Sequence, residues 1–261
     1  MFLKSDLIKQ IKGMGIAPTD TVLIHTSLRA VGEVENGADG VIDAFKACLI
    51  DGLFLVPTHT WGTVTRKHPV YDARTEAPCI GTLPRIAAFR PDGVRSLHPT
   101  HSIWATGRGA QDFIAGEENA ATPAPPGFAW DRLADVHAKI LLIGVGHERN
   151  TFIHAVDEHA DVPDRLADDS FDVTIINQQG QACTHPFRCH YCSFCPDVSA
   201  RFPVYENAFI QTGIQTMGQL GNAQVRVVDA AGCRDLLLRI FSRAAVDPCR
   251  AYEEPSPQLY L

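Results

Sequence analysis

The sequence predicts an α/β fold, with a mixed, largely parallel sheet flanked by helices. Three observations point to it. Short apolar runs of strand length, in "DTVLIHTS", "DGLFLVPTHTW", "IWATG" and "AKILLIGVG", alternate with segments of helical periodicity. Each run is bounded by turn residues and fits a buried strand. A chain of 261 residues with 45% hydrophobic content suits one large domain, or two small units sharing a sheet, with a substantial core.

Taken in order, "MFLKSDLIKQIKGMG" reads as an amphipathic helix, with Lys4, Asp6 and Lys9 among its apolar positions. "DTVLIHTS" is the first strand, "GADGVIDAFKACLI" a helix, and "DGLFLVPTHTW" a turn and second strand. Residues 62 to 102, rich in Pro, His, Thr and Gly, read as a long irregular connection of the kind that serves a site. "IWATG" and "AKILLIGVG" are two more strands. The second runs into "HERNTFIHAVDEHA", a helix that Asn150 or Thr151 can cap. "DVTIINQQGQACTHP" predicts a hairpin turning at Gln178 to Gly180. Helix, strand and helix follow in "SARFPVYENAFIQTG", "AQVRVVDA" and "AGCRDLLLRIFSRAA". The proline-rich tail "VDPCRAYEEPSPQLYL" is expected draped or loose.

A formal net charge of −7 argues against non-specific nucleic-acid or anionic-membrane binding. The first helix carries charges where a signal peptide would be uninterrupted, and no apolar run has bilayer-spanning length, so a cytoplasmic protein is expected. Its eight cysteines are then mostly reduced. Cys48, Cys79, Cys183, Cys233 and Cys249 are scattered among apolar neighbours and read as buried, inert thiols.

Two motifs are excluded. "GVGHERNT" follows a strand and opens a helix, but Arg149 stands where a dinucleotide fingerprint needs its third glycine. No GxxxxGK phosphate loop is present. More informative is His154, in the first turn of its helix, where the dipole disfavours an imidazolium. A neutral imidazole is what a general base requires. Asp157 and Glu158, three and four residues on, share its face and can orient the ring; a surface His beside two solvated acids is the competing reading. "RSLHPTHS" gathers Arg95, Ser96, His98, His101 and Ser102 in a loop shaped by Pro99.

At these residues the chain resembles the aminoglycoside 3-N-acetyltransferase family. The matching pieces are "VLIHTSLRAVG" (23 to 32), "GLFLVPTHTW" (52 to 61), "YDARTEAPCIGTLPRIAAFRPDGVRSLHPTHSIWATG" (71 to 107), "ATPAPPGFAWDRL" (121 to 133) and "ILLIGVGHERNTFIHAVDEHA" (140 to 160). The resemblance implies an antibiotic acetyltransferase-like fold distinct from the commoner N-acetyltransferase superfold. It implies acetyl-CoA as co-substrate, a small-molecule amine as acceptor, and no nucleic-acid or membrane partner; the family admits homo-oligomers. It puts the catalytic base on His154, for which spacing offers Asp157 as the supporting acid. Acetyl-CoA contacts fall on Ser27, Leu28 and Val31 and on Arg95, Ser96, His98 and Ser102, with Arg95 a candidate phosphate ligand and Ser102 or Thr151 a candidate oxyanion donor. The match covers residues 1 to 165, the cofactor half. Residues 166 to 261, the acceptor half of the same single domain (1 to 261), diverge. Within the matched half Phe128 and Ala129 replace the usual Ser-Pro pair, and in the divergent half Arg188 stands near the position of an acceptor-side acid.

That divergent half holds "HPFRCHYCSFCPD" (185 to 197). Cys189, Cys192 and Cys195 with His190 or His185 offer a soft ligand set for tetrahedral zinc. Redox chemistry through CxxC lacks its usual strand-helix setting, and unmetallated side chains flanking the acceptor cleft are the third reading. The function expected is therefore acetyl transfer to an aminoglycoside or related amine. A zinc-dependent hydrolase or a non-catalytic CoA-binding relative on the same scaffold are the alternatives. Asp157, Glu158, Asp161, Asp164 and Glu206 are candidates for binding a polycationic acceptor.

Overall fold

The apolar runs form the middle of a seven-stranded sheet in a computed structural model that describes residues 1–261. The strands are β1 (Thr21–Thr26), β2 (Leu53–Pro57), β3 (Val70–Asp72), β4 (Val94–Arg95), β5 (Ile103–Gly107), β6 (Lys139–Ile143), β7 (Phe171–Ile176), β8 (Ala182–Phe187), β9 (Gln215–Leu220) and β10 (Ala223–Asp229). The large sheet runs β4-β5-β2-β1-β6-β10-β9, and β3-β7-β8 form a small second sheet.

The sheet is mixed, as expected, but parallel pairing is confined to its centre, β2-β1-β6. This is narrower than the largely parallel sheet the rhythm predicts. The flanks pair antiparallel, β2 with β5 and β4 on one side and β6 with β10 and β9 on the other. The cause is local: two residues, Gly221 and Asn222, join β9 to β10, and so short a link permits only an antiparallel return. The hairpin of β7 and β8 turns at the predicted place, with Gly180 at φ +78.

Helices cover both faces. Side chains of β6 alternate between them: Ile140 and Leu142 join a cluster with Trp130, Phe152 and Leu237, while Leu141 and Ile143 join one with Leu7, Ile11 and Phe45. No helix is long and apolar enough to cross a membrane.

Several expectations need revision. β9, "QTMGQL", carries no apolar run and is an edge strand that sequence patterning missed. The connection 62 to 102 contains β3, β4 and a helix, Thr82–Ala87. The predicted helix around residue 203 opens as a 3-10 segment, Val198–Tyr205, before turning α-helical at Glu206–Gln211, since Pro203 lacks an N–H. The tail is draped: Cys249 and Tyr260 are buried, and the Tyr260 hydroxyl donates to Gln211. Of the scattered cysteines, Cys48, Cys233 and Cys249 are buried, whereas Cys79 and Cys183 are exposed.

Candidate active site

The carboxyl ends of β2, β1 and β6 open together into a cavity of about 770 Å³, where open α/β sheets place their ligands. Each central strand delivers a wall segment: His59 follows β2, Ser27 follows β1, and Val145 to Thr151 follow β6. Gly144 makes this junction possible. Its φ is +67, and a Cβ there would lie 2.3 Å from that of Ala30. The far wall comes from the divergent half, through Phe187, Cys189, His190, Tyr191, Cys192 and Asp197.

His154 stands on this wall, in the first turn of the helix Phe152–His159. Thr151 is the N-cap, though its side chain makes no capping bond; Asn150 lies instead against His147, 3.3 Å from its Nδ1. His154 is buried, its Nδ1 has no hydrogen-bond partner, and burial holds its pKa well below the usual value, with His190, Arg165 and His59 adding to the effect. The ring is therefore neutral, as the sequence predicts for a base.

Neither acid one turn on bonds to it. Asp157, expected to support His154, accepts from Arg165 Nε at 2.9 Å, and the same guanidinium donates to Asp247 at 2.6 Å. Glu158 accepts from Thr122, from the Ala124 N–H at 2.8 Å, and from His190 Nε2 at 3.1 Å. His190 in turn stacks on His154, with ring centroids 4.0 Å apart and planes 21° apart.

Further imidazoles extend this pair. His101 lies 5.3 Å from His190 and 4.6 Å from His59 between ring centroids, and Trp130 packs on His59 while donating Nε1–H to the His101 carbonyl at 2.8 Å. Burial lowers the pKa values of His25 and His98 to about 3, and those of His59 and His101 well below the usual range. With His154 and His147, which burial lowers too, that makes six imidazoles that gain protons on unfolding below pH 6.5. Their contribution to stability is complete above that pH and is lost as the pH falls toward 3. Glu117 and Asp157 act oppositely: burial raises each carboxyl to about 7, so their contribution is complete at acid pH and lost as the pH rises through 7. Six groups outweigh two. The urea midpoint should accordingly fall steadily from pH 7 to pH 5, and a midpoint that is flat or rising over that interval would contradict these assignments.

The residues expected to hold acetyl-CoA divide. Ser27 lines the cavity and caps the turn Leu28–Val31, its Oγ accepting from the Ala30 N–H at 3.3 Å. Leu28 packs against the core and Val31 is fully buried in it, so neither side chain faces the cavity. The 95 to 102 loop is scaffold more than wall. Arg95 is buried and donates to the carbonyls of Glu76 (2.6 Å) and Thr58 (3.0 Å), which leaves it unavailable to a phosphate. Ser96 Oγ accepts from the Ile103 N–H, and Ser102 Oγ donates to the Thr58 carbonyl. His98 Nδ1 accepts from the N–H groups of Thr100 and His101, so its Nε2–H donates to Thr122. Only Thr100 and His101 of this loop reach the cavity. Thr151 is on the wall; Ser102 is not.

The expected zinc set of Cys189, Cys192, Cys195 and His190 does not converge. No three His, Cys, Asp or Glu side chains are arranged to hold a metal. Cys192 and Cys195 bring their sulfurs to 2.7 Å, but Cys189 packs toward the small sheet beside Phe187, and His190 is held by Glu158. The segment does lie beside His154, as its position after the hairpin predicts.

The acids proposed for the acceptor are also engaged elsewhere: Asp164 with Ser193 and Arg250, Glu206 with Arg226 and Gln215, and Asp161 off the wall. The carboxylates on the wall are Glu148 and Asp197, and Arg149 is its one Arg or Lys. Sequence reasoning missed all three in this role, together with His25 and His59. The last two end or follow apolar strands, and position at a strand's carboxyl end was the signal available for them.

A family model described as aminoglycoside 3-N-acetyltransferase matches residues 23–242. The chain is 28% identical over 252 residues to aminoglycoside N(3)-acetyltransferase IV of Salmonella sp., covering 94% of this chain and 88% of that protein. It is 26% identical over 251 residues to aminoglycoside N(3)-acetyltransferase VII of Streptomyces paromomycinus, covering 87% of each. Among solved structures, aminoglycoside acetyltransferase AAC(3)-IVa in complex with a gentamicin superposes with a TM-score of 0.80 at 24% identity, over 97% of this chain and 95% of that one. AAC-IIIb in its binary complex with CoASH does so with a TM-score of 0.78 at 20% identity, over 98% and 99%. At these identities the superpositions establish a shared fold. The family match spans both halves of the chain, the divergent acceptor wall included, and so the chain belongs to the aminoglycoside 3-N-acetyltransferase family.

Proposed function

We propose that the protein transfers acetyl from acetyl-CoA to an amine of an aminoglycoside or related amino compound, with His154 as general base. The observation that carries this reading is a buried imidazole, its pKa held below the usual value by burial, on the wall of a cavity at the strand ends, inside the span that matches the family. Both substrates occupy the cavity at once, so proximity supplies much of the rate. The acceptor, as its neutral amine, attacks the thioester carbonyl while His154 takes the proton that its nitrogen sheds, and the tetrahedral oxyanion collapses with departure of the CoA thiolate, which receives that proton from the imidazolium. Thr151, whose side chain is not used as a cap, is the wall hydroxyl nearest in sequence to the base and the candidate oxyanion donor. Arg149 replaces Arg95 as the candidate for a phosphate of the co-substrate, because it is exposed and on the wall. The 261 residues act as one domain, since the cavity draws walls from both halves. A cytoplasmic site of action, with acetyl-CoA at hand and its thiols reduced, agrees with this reading.

The direct test is thiol release from acetyl-CoA by the intact protein against a panel of aminoglycosides and simple amines. Release with no acceptor in the panel overturns the reading. A cationic acceptor should depend on Asp197, one of two wall carboxylates, whose Oδ1 is already committed to the Ser199 N–H. Asp197→Asn should raise KM for a multiply charged aminoglycoside several-fold with little change in kcat, the pattern of lost uniform binding. The increase should shrink at high salt; an unchanged KM would place the acceptor elsewhere.

A further inference from the structure

We infer that His190, held by Glu158, is the positioning residue of His154 and takes the role that the acid of a His-acid pair would otherwise have. The inference rests on the reading of His154 as the base and deepens it. His154 lacks the usual support. Its Nδ1 is buried with no partner, and Asp157 is turned away into the pair with Arg165. A ring with no hydrogen bond on its inner nitrogen is free to tilt unless packing fixes it. The structure supplies that packing from two sides. Phe202 meets the His154 ring edge-on at 4.8 Å, and the His190 ring lies nearly parallel to it at 4.0 Å.

His190 is itself fixed. Its Nε2 donates to Glu158 Oε1, a carboxylate 2% exposed that also accepts from Thr122 and the Ala124 N–H. A backbone bridge to Leu166 pins the loop around it. The carboxylate is thus connected to His154 through a ring: Glu158 sets the plane of His190, and His190 sets the plane of His154. His190 also accounts for the Cys- and His-rich loop from which it comes, which brings this ring across the cavity onto a helix from the other half of the chain. Stacked rings do not pass a proton directly, so the assigned role is orientation rather than relay.

The experiment compares His190→Ala, which removes the ring, with His190→Phe, which keeps a stacking ring without the bond to Glu158, by steady-state thiol release. His190→Ala should lower kcat tenfold or more at unchanged KM for acetyl-CoA, and His190→Phe should restore kcat to within about threefold of the parent. If Phe is as slow as Ala, or if both keep the parent kcat, the stack is not the device. Because a positioning residue acts through the base, adding His190→Ala to His154→Asn should slow the enzyme no further. A further tenfold loss in the double variant would show that His190 acts on its own and would overturn the inference. His154→Asn alone at the parent rate would instead defeat the reading of the base, whatever His190 does. Thermal midpoints of all variants separate a fold defect from a kinetic one, and a His190→Ala rate loss that disappears when folded protein is matched would count against the proposal.

Discussion

His154→Asn should lower kcat by about a hundredfold or more while leaving acetyl-CoA affinity nearly unchanged, the range for removal of a positioned base. Asn approximates the shape of the ring, so the stack with His190 loses little packing, but no basic nitrogen remains. The alternatives within the cavity are narrowed by hydrogen bonding. His98 has both nitrogens committed to backbone groups and does not line the cavity. His101 is on the wall, with Nδ1 2.9 Å from the Thr100 hydroxyl, and is the remaining rival from the matched loop. Rates measured from pH 6 to 8 decide between them. Parent-like turnover by His154→Asn throughout that range would transfer the role to His101. Calorimetry of acetyl-CoA binding to the same variant completes the test, because a weakened co-substrate would mean that His154 holds the substrate rather than its proton.

What could be read from the sequence followed its periodicity. Buried strands such as "VLIHT" and "KILLI" announce themselves because both faces of the sheet are covered and the apolar run is unbroken. β9 does not, because an edge strand exposes Thr216, Met217 and Gln219 and contains a glycine packed on Met14. The place of His154 at a helix start was legible, but its lowered pKa comes from burial and from His190, Arg165 and His59, which are tertiary neighbours. The partners of Arg95 and Asp157 were not legible. "RSLHPTHS" and "FIHAVDEH" present their polar residues identically whether they face a ligand or the scaffold. Only the packing of Thr58, Glu76 and Arg165 against them, from 8 to 37 residues away, decides which. The metal expectation failed for a related reason. Spacing counts ligands along the chain, but Cys189 points to the small sheet while Cys192 and Cys195 point to the large core.

Arg165→Met should destabilise the fold by about 3 kcal/mol, the lower end of the cost of leaving one partner of a buried ion pair behind. Arg165 is 2% exposed and Asp157 1% exposed, and the guanidinium also draws Asp247 of the C-terminal tail onto the helix that carries His154. Burial already pushes the Asp157 carboxyl up to about 7 against the opposing pull of Arg165. Without the guanidinium it is pushed further and takes up a proton near neutrality, which limits the loss. A carboxyl whose folded pKa is raised contributes stability that disappears as pH rises through that pKa. The destabilisation by Arg165→Met should therefore be larger at pH 8 than at pH 6. The double variant Asp157→Asn/Arg165→Met removes both charges from the interior and leaves Asp247, 18% exposed, to be hydrated. It should regain at least half of the loss at pH 8 and show little of the pH dependence. Urea midpoints for the three proteins at both pH values carry the test. If the double variant is no more stable than Arg165→Met, the cost lies in lost packing around Phe194 and the tail rather than in an uncompensated Asp157.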